Sequence, residues 1–295
     1  MNARRISVTV LLLVLYFLPA CTGVETIETV LPTEPEALEE VTPVDEQVEE
    51  KIQDESDDRQ APLPTEEVWL YVGMGDSFTL TYYSDWPRMY ARFLEEKLSV
   101  KIKFIDKAIG AVKINEMLEN IRTNESLRAD LMQAKLITVN FGSDSFRVPN
   151  ENYKNGICGG KDGQDCLREA FSQAEIDWEA FLDELIALRS PEEAPIITFM
   201  VGIGLVQTTC DWGSDCCDVL TTYMIDWSDF IEQTAIERGI YVVDVNKILN
   251  GQDYCQPTNK NLLQSDGFHF NNEGSAEIVK LLQELNLHEK PPLLP

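Results

Sequence analysis

The sequence predicts an α/β fold in which a parallel sheet carries helices on both faces. Five short runs rich in β-branched and aromatic residues predict strands: VWLYVG (68–73), KIKFID (101–106), LITVN (136–140), PIITFMV (195–201) and IYVVDV (240–245). Segments with the apolar periodicity of helices follow them at 85–98, 113–134, 166–189, 219–238 and 272–285. Strands that alternate with helices of this length need right-handed crossovers, which make a parallel sheet. We find no internal repeat, so one domain over residues 68–295 accommodates every element.

The first predicted helix has the clearest pattern. Pro87 lies in its first turn, where proline is tolerated, and Tyr90, Phe93, Leu94 and Leu98 fall on one face. This face is therefore expected to pack against the sheet.

The loops that follow the first three strands are expected to form the ligand site. Ser77 follows the first strand, Gly110 the second and Gly142 the third. In open parallel sheets, ligands bind at the carboxyl ends of the strands, so these loops should meet at one edge.

Residues 1–21 are typical of an export signal. Arg4 and Arg5 precede an apolar stretch at 6–18, which is short for a membrane span. The sequence Leu-Pro-Ala-Cys that ends at Cys21 resembles the lipobox of bacterial lipoproteins. That resemblance implies lipidation of Cys21 and a membrane-anchored, extracytoplasmic protein; the alternative is a plain signal peptide cleaved near Ala20.

Residues 22–67 are predicted to form a disordered tether. They contain 16 Asp and Glu, five prolines, and only Lys51 and Arg59 as cations. Such a segment cannot bury enough apolar surface to offset its ordering entropy, and its charges repel one another. The whole chain carries a formal net charge of −27, which argues against nucleic acid as a partner.

Cysteine usage agrees with export. Apart from Cys21 there are six cysteines, and an even number in an exported chain favours disulfides: Cys158, Cys166, Cys210, Cys216, Cys217 and Cys255. Cys158 and Cys166 flank a glycine-rich loop that a local bridge would close. Adjacent Cys216 and Cys217 are expected to take separate partners among Cys210 and Cys255. A zinc site is disfavoured because the chain has no C-x-x-C pair and few histidines, so we expect no metal.

Ser77, in the string Gly-Asp-Ser-Phe-Thr, is a candidate nucleophile if the chain supplies a base. There are two histidines, and His288 lies in a C-terminal tail, where it is expected to be a solvated surface residue. His269 follows Asp266 at a spacing that can place the carboxylate beside the imidazole. The alternative for His269 is a cap on the final helix.

Four strings in order along residues 68–285 carry a family resemblance: GDSFT, AIG, FGSDS and DGFH. The series resembles the SGNH/GDSL hydrolase family of esterases, lipases and carbohydrate deacetylases. The resemblance implies a flavodoxin-like three-layer α/β/α sandwich with a five-stranded parallel sheet and no cofactor. It also implies Ser77 as nucleophile, His269 as general base and Asp266 as the group that orients it.

The resemblance further implies an oxyanion hole, and here the chain departs from the family. The backbone N–H groups of Ser77 and Gly110 would be donors, but the family's Gly-x-Asn-Asp reads Gly142-Ser143-Asp144-Ser145. Either Asp144 replaces the asparagine or one residue is missing, and neither leaves an amide. A carboxylate facing the oxyanion must stay protonated or turn away to a backbone N–H or a helix N-terminus. We expect the second.

The sequence thus predicts a secreted, lipid-anchored serine hydrolase that cleaves carboxylic esters in a small molecule, lipid or acylated glycan. A carbohydrate O-deacetylase of the same fold is the first alternative. The second is a weakly active binding module, which the missing asparagine favours.

Overall fold

Among the described residues of the computed structural model, five strands form the parallel sheet: β1 (Val68–Gly75), β2 (Lys101–Asp106), β3 (Leu136–Asn140), β4 (Ile196–Met200) and β5 (Tyr241–Asp244). Their order across the sheet is β2-β1-β3-β4-β5, and every pair is parallel. The structure describes residues 67–200, 219–252, 254, 256–285 and 287, all within one compact unit that begins at Gln60. The expectations for Cys21, Cys210, Cys216, Cys217 and Cys255 lie outside these residues, as do those for the signal and most of the tether.

The helices of the described residues, in chain order, are α1 (Trp86–Leu98), α2 (Ile114–Thr123), α3 (Glu125–Gln133), α4 (Arg147–Lys154), α5 (Asp165–Leu188), α6 (Val219–Glu237), α7 (Asn246–Asn250) and α8 (Asn272–Glu284). Short 3₁₀ helices cover Ser143–Phe146 and Lys260–Leu262. None of the helices in the described part of the chain is both long and apolar enough to span a bilayer.

Two apolar cores cover the two faces of the sheet, because alternate strand residues point in opposite directions. Val72, Ile137 and Ile196 pack against α2, α3, α5 and α6 on one face. Their chain neighbours Tyr71, Leu136 and Ile197 pack against α1, α7 and α8 on the other. The predicted three-layer α/β/α sandwich is therefore confirmed.

The strand order places the loops after β1 and β3 side by side. The chain leaves β1 towards β2 in one direction, and β3 then lies on the opposite side of β1. Such a reversal opens a crevice at the carboxyl ends of the strands. Gly75 pairs with Asn140, so β1 and β3 end at the same level and both loops begin at this crevice.

Two local features differ from the sequence-based prediction. The helix predicted over 113–134 is two helices, because Asn124 ends α2 and its side chain accepts a hydrogen bond from the N–H of Leu127 at the start of α3. Helices α4 and α7 were not predicted, since α4 buries no residue and α7 has only five residues.

Cys158 and Cys166 form the disulfide that their flanking of the glycine-rich loop favours. The bridge joins the loop after α4 to the first turn of α5.

Candidate active site

Ser77 lies in a tight turn directly after β1 and is partly exposed. The turn is closed by Asp76, whose carbonyl accepts a hydrogen bond from the N–H of Thr79 at 3.1 Å and whose Oδ1 accepts one from the N–H of Phe78 at 3.0 Å. A Cβ on Gly75 would lie 2.2 Å from Thr79 Oγ1, so only glycine fits beneath the turn. The sequence therefore fixes the backbone on both sides of the serine.

His269 is oriented by Asp266. Its Nδ1 lies 2.8 Å from Asp266 Oδ2, while Asp266 Oδ1 accepts the N–H groups of Phe268 and His269 at 2.8 and 3.1 Å. Partial burial opposes ionisation of Asp266, but the hydrogen bonds from the imidazole and the two N–H groups outweigh it, so the pKa of Asp266 is lowered. An ionised carboxylate only accepts, so in the neutral imidazole Nδ1 carries the proton and Nε2 is the acceptor.

The structure brings the serine turn and the histidine loop together. The ring of Phe78, the neighbour of Ser77, lies 5.8 Å from the His269 imidazole and 5.3 Å from the ring of Phe268, centroid to centroid. Among the described residues, Nε2 of His269 is buried without a hydrogen-bond partner, so Ser77 Oγ does not bond to it in this structure. An acceptor nitrogen free of other partners beside a serine turn is suited to accept the serine proton.

His269 does not cap the last helix. That position belongs to Asn271, whose Oδ1 accepts the N–H of Gly274 at 2.9 Å. The capping role that the sequence also allows for His269 is therefore filled by Asn271.

Gly110 lies at the same edge of the sheet. The N–H of its neighbour Ile109 donates to the carbonyl of Gly75 at 2.8 Å, which holds the loop after β2 against the end of β1. Gly110 is exposed, and a Cβ there would lie 3.5 Å from Leu80, an ordinary contact.

Asp144 lies in the 3₁₀ turn after β3 and forms an ion pair with Arg147. Arg147 Nε donates to Asp144 Oδ1 at 3.3 Å, and the side chains are 15% exposed for Asp144 and 66% for Arg147. The carboxylate is thus held by a guanidinium, a partner that the sequence analysis did not identify. The spacing of three residues within a helical turn was the signal that could have indicated it.

Asp76 is a second feature that the sequence analysis missed. Its side chain is 2% exposed, and Ser143 Oγ donates to its Oδ2 at 3.3 Å, which links the turns after β1 and β3. Burial, with a smaller contribution from the nearby charge of Asp144, raises the pKa of Asp76 to about 7 against the lowering effect of the Phe78 N–H. The residue beside Ser77 is therefore a carboxyl that titrates near neutral pH.

In the part of the chain that the structure describes, no group of three or more His, Cys, Asp and Glu side chains has an arrangement able to hold a metal ion.

The fold and the site together define a class of protein: a flavodoxin-like α/β protein with a serine turn and an Asp–His pair at the carboxyl edge of its sheet. The model of the GDSL-like lipase/acylhydrolase family matches residues 74–276, more than half of the chain. The chain belongs to this family, and the family resemblance of the sequence is confirmed. A search of curated proteins found no match.

Solved structures with the same fold come from lipases and esterases. A lipase, Lip_vut3, from a goat rumen metagenome is 15% identical, covering 73% of this chain and 96% of its own, with a TM-score of 0.55. An Axe2 variant, an acetyl-xylooligosaccharide esterase from Geobacillus stearothermophilus, is 13% identical, covering 74% and 93%, with a TM-score of 0.52. A lipase/acylhydrolase from Enterococcus faecalis is 14% identical, covering 77% and 100%, with a TM-score of 0.50.

Proposed function

We propose that the chain is a serine esterase in which Ser77 is the nucleophile, His269 the general base and Asp266 the residue that orients it. One observation carries the proposal: Asp266 holds Nδ1 of His269, while the buried Nε2 has no hydrogen-bond partner among the described residues and lies in the loop packed against the serine turn. Family membership supports it, since the family is described as lipases and acylhydrolases.

The chemistry has two balanced halves. Ser77 Oγ attacks the ester carbonyl carbon as its proton passes to His269 Nε2, and the carbonyl electron pair moves onto the oxygen. The intermediate collapses by breaking the bond to the alcohol oxygen, which takes the proton from His269. Water then attacks the acyl-enzyme with His269 again as base, which releases the carboxylic acid and restores the Ser77 hydroxyl.

The backbone N–H groups of Ser77 and Gly110 stabilise the developing oxyanion. Asp144 contributes no donor, because its carboxylate is held by Arg147. Loss of one oxyanion donor typically costs about 3 kcal/mol of transition-state stabilisation, so the rate should be modest for the family. A binding module without turnover is the second candidate, and this carboxylate is the observation that favours it.

The proposal places the enzyme outside the cytoplasm, tethered by residues 22–67 and anchored through lipidated Cys21. The basic pair, apolar stretch and cysteine at the N-terminus support this location. Cys21→Ser should move the expressed protein from the detergent phase to the aqueous phase on partition. A wild-type protein found only in the aqueous phase would contradict the anchor.

The esterase proposal is tested by hydrolysis of a p-nitrophenyl acetate and butyrate pair and of an acetylated xylo-oligosaccharide. Ser77→Ala, His269→Ala and Asp266→Asn should each lower kcat/KM about a thousandfold or more, since the three groups act as a unit. Ser172→Ala, on the exposed face of α5, and His288→Ala are the matched controls and should keep wild-type rates. Wild-type turnover by Ser77→Ala would overturn the assignment. No turnover by folded wild-type protein would favour the binding module, and preference for the glycan would favour the deacetylase.

A further inference from the structure

The aromatic ring of Tyr83 covers one face of the candidate base. The ring centroids of Tyr83 and His269 are 4.3 Å apart, and the planes meet at 11°, so the two rings are stacked. The imidazole side chain is 13% exposed. The other rings that contact it, Phe78 and Phe268, lie more than 5 Å away and at larger angles. Tyr83 is thus the nearest aromatic contact of this imidazole among the described residues.

Hydrogen bonds fix the stack from both loops. Gln264 Nε2 donates to the carbonyl of Tyr83 and, at 3.1 Å, to that of Phe270, while the N–H of Gln264 donates to the carbonyl of His269 at 2.7 Å. The tyrosine is held in turn by its own N–H, which donates to the Leu80 carbonyl at 2.9 Å. The loop after β1 and the loop before α8 are therefore joined at the base of the two rings.

A stacked ring affects the charged form of imidazole more than the neutral form. The face of a tyrosine ring carries negative potential and attracts a cation that lies over it within about 6 Å. Imidazolium exists only after His269 has taken a proton, so the attraction grows as the transition state forms. The carboxylate of Asp266 pairs with Nδ1, at the edge of the imidazole rather than on its face.

We propose that Tyr83 is a positioning residue of the reaction, which holds the His269 ring in line with Asp266 and stabilises the imidazolium formed during proton transfer. The inference rests on the proposed role of His269 as general base. It assigns to Tyr83 an effect on kcat with little effect on KM.

The test compares Tyr83→Leu, Tyr83→Phe and Tyr82→Leu. Leucine replaces the tyrosine ring with an apolar side chain that still covers the imidazole. Water therefore does not reach the imidazolium and stabilise it in place of the tyrosine ring. Tyr83→Leu should lower kcat about 3- to 30-fold at unchanged KM, and the acid limb of the kcat/KM profile should move to lower pH. Tyr83→Phe keeps an aromatic ring at this position, so it should keep the wild-type kcat and the wild-type position of the acid limb. Tyr82, 86% exposed, is the matched control, and Tyr82→Leu should leave kcat within about twofold.

A readout without turnover separates this inference from the proposed function. In a His288→Ala background, His269 is the single histidine, and NMR follows its titration directly. The midpoint should be lower in Tyr83→Leu than in Tyr83→Phe, even if the wild type proves inactive. An unchanged midpoint, wild-type kcat in Tyr83→Leu, or a loss in Tyr83→Phe equal to that in Tyr83→Leu would each overturn the inference. If Tyr83→Leu does not fold, Tyr83→Met is measured in its place against the same outcomes.

Discussion

At the scale of single residues, Asp76 links stability to pH. Its carboxyl is buried beside Ser77, and burial raises its pKa to about 7 from a usual value of 3.8. Between these two pH values the native state binds the proton more tightly than the unfolded state does. The contribution of Asp76 to the free energy of unfolding is therefore greatest below about pH 4 and declines as the pH rises to about 7, where a buried carboxyl must ionise.

Asp76→Asn removes this decline, because the amide has no proton to lose and its oxygen can still accept the Phe78 N–H. The free energy of unfolding of the variant relative to wild type should increase from about pH 4.5 to about pH 8, by on the order of 1 to 4 kcal/mol. Urea unfolding of both proteins at the two pH values measures this difference in the free energy of unfolding. Asp183→Asn, at an exposed carboxylate paired with Arg238, is the control and should give no such trend. A constant difference between Asp76→Asn and wild type would show that Asp76 does not titrate in this range.

Arg147 should matter only through Asp144. Removing the guanidinium leaves the Asp144 carboxylate uncompensated near Asp76 and the proposed oxyanion donors. Arg147→Ala should therefore lower kcat/KM about twofold to fivefold, as expected for an ion pair whose guanidinium is mostly exposed. Asp144→Asn should preserve or raise kcat/KM, and it should abolish the effect of Arg147→Ala in the double variant. Equal losses from Arg147→Ala in both backgrounds would contradict the coupling.

At the scale of elements, the N-terminus of α8 supports the histidine loop. Asn271 caps this helix through Gly274 N–H, and its Nδ2 donates to the carbonyls of Asn261 and Leu263 at 2.7 and 3.1 Å. Helix α3 is capped by Asn124 in the same manner, but α3 carries none of the site residues. Substituting each asparagine in turn therefore distinguishes an effect on helix stability from an effect on the geometry of the site.

Asn271→Ala should reduce the free energy of unfolding by about 1 to 2 kcal/mol and should also lower kcat, because His269 lies two residues before the cap. Asn124→Ala should lose about 0.5 to 2 kcal/mol of stability with unchanged kcat. Urea unfolding and ester hydrolysis on both variants measure the two effects. Comparable losses of kcat in both variants would mean that general destabilisation, and not the histidine loop, accounts for the change.

Helices and strands with strong apolar periodicity were predictable from the sequence. The five strands and the helices α1, α5, α6 and α8 lie within two residues of their predicted bounds, because apolar side chains of each pack against one of the two cores, even in β2, whose side chains are only partly buried. Helices α4 and α7 were not predicted, since α4 buries nothing and α7 has five residues. The break between α2 and α3 depends on a side-chain cap, which an apolar pattern does not record.

At the scale of the whole molecule, the sequence placed Ser77, Gly110 and Gly142 at the carboxyl edge, because the topology of an alternating α/β chain leaves little freedom there. The Asp266–His269 pair was predictable from spacing, since both residues lie in one short turn. The contacts that join residues of different loops could not be predicted from the sequence.

Those cross-loop partners depend on tertiary contacts that no local pattern encodes. The raised pKa of Asp76 depends on burial by the assembled fold, and the stack of Tyr83 on His269 joins residues 186 positions apart. The Asp144–Arg147 pair is local, but it lies in the polar segment whose helix was itself missed. What the sequence left undetermined is thus the chemical environment of the site rather than its place in the fold.

The central claim, that Ser77 is an activated nucleophile, is tested most directly by labelling the purified full chain with a fluorophosphonate probe and mapping the modified residue by mass spectrometry. The probe reacts with an activated serine whatever the natural ester is. We expect one modified site, Ser77, with labelling lost in Ser77→Ala, strongly slowed in His269→Ala and retained in Ser172→Ala. Absence of labelling in folded wild-type protein, or modification of a different serine, would contradict the account.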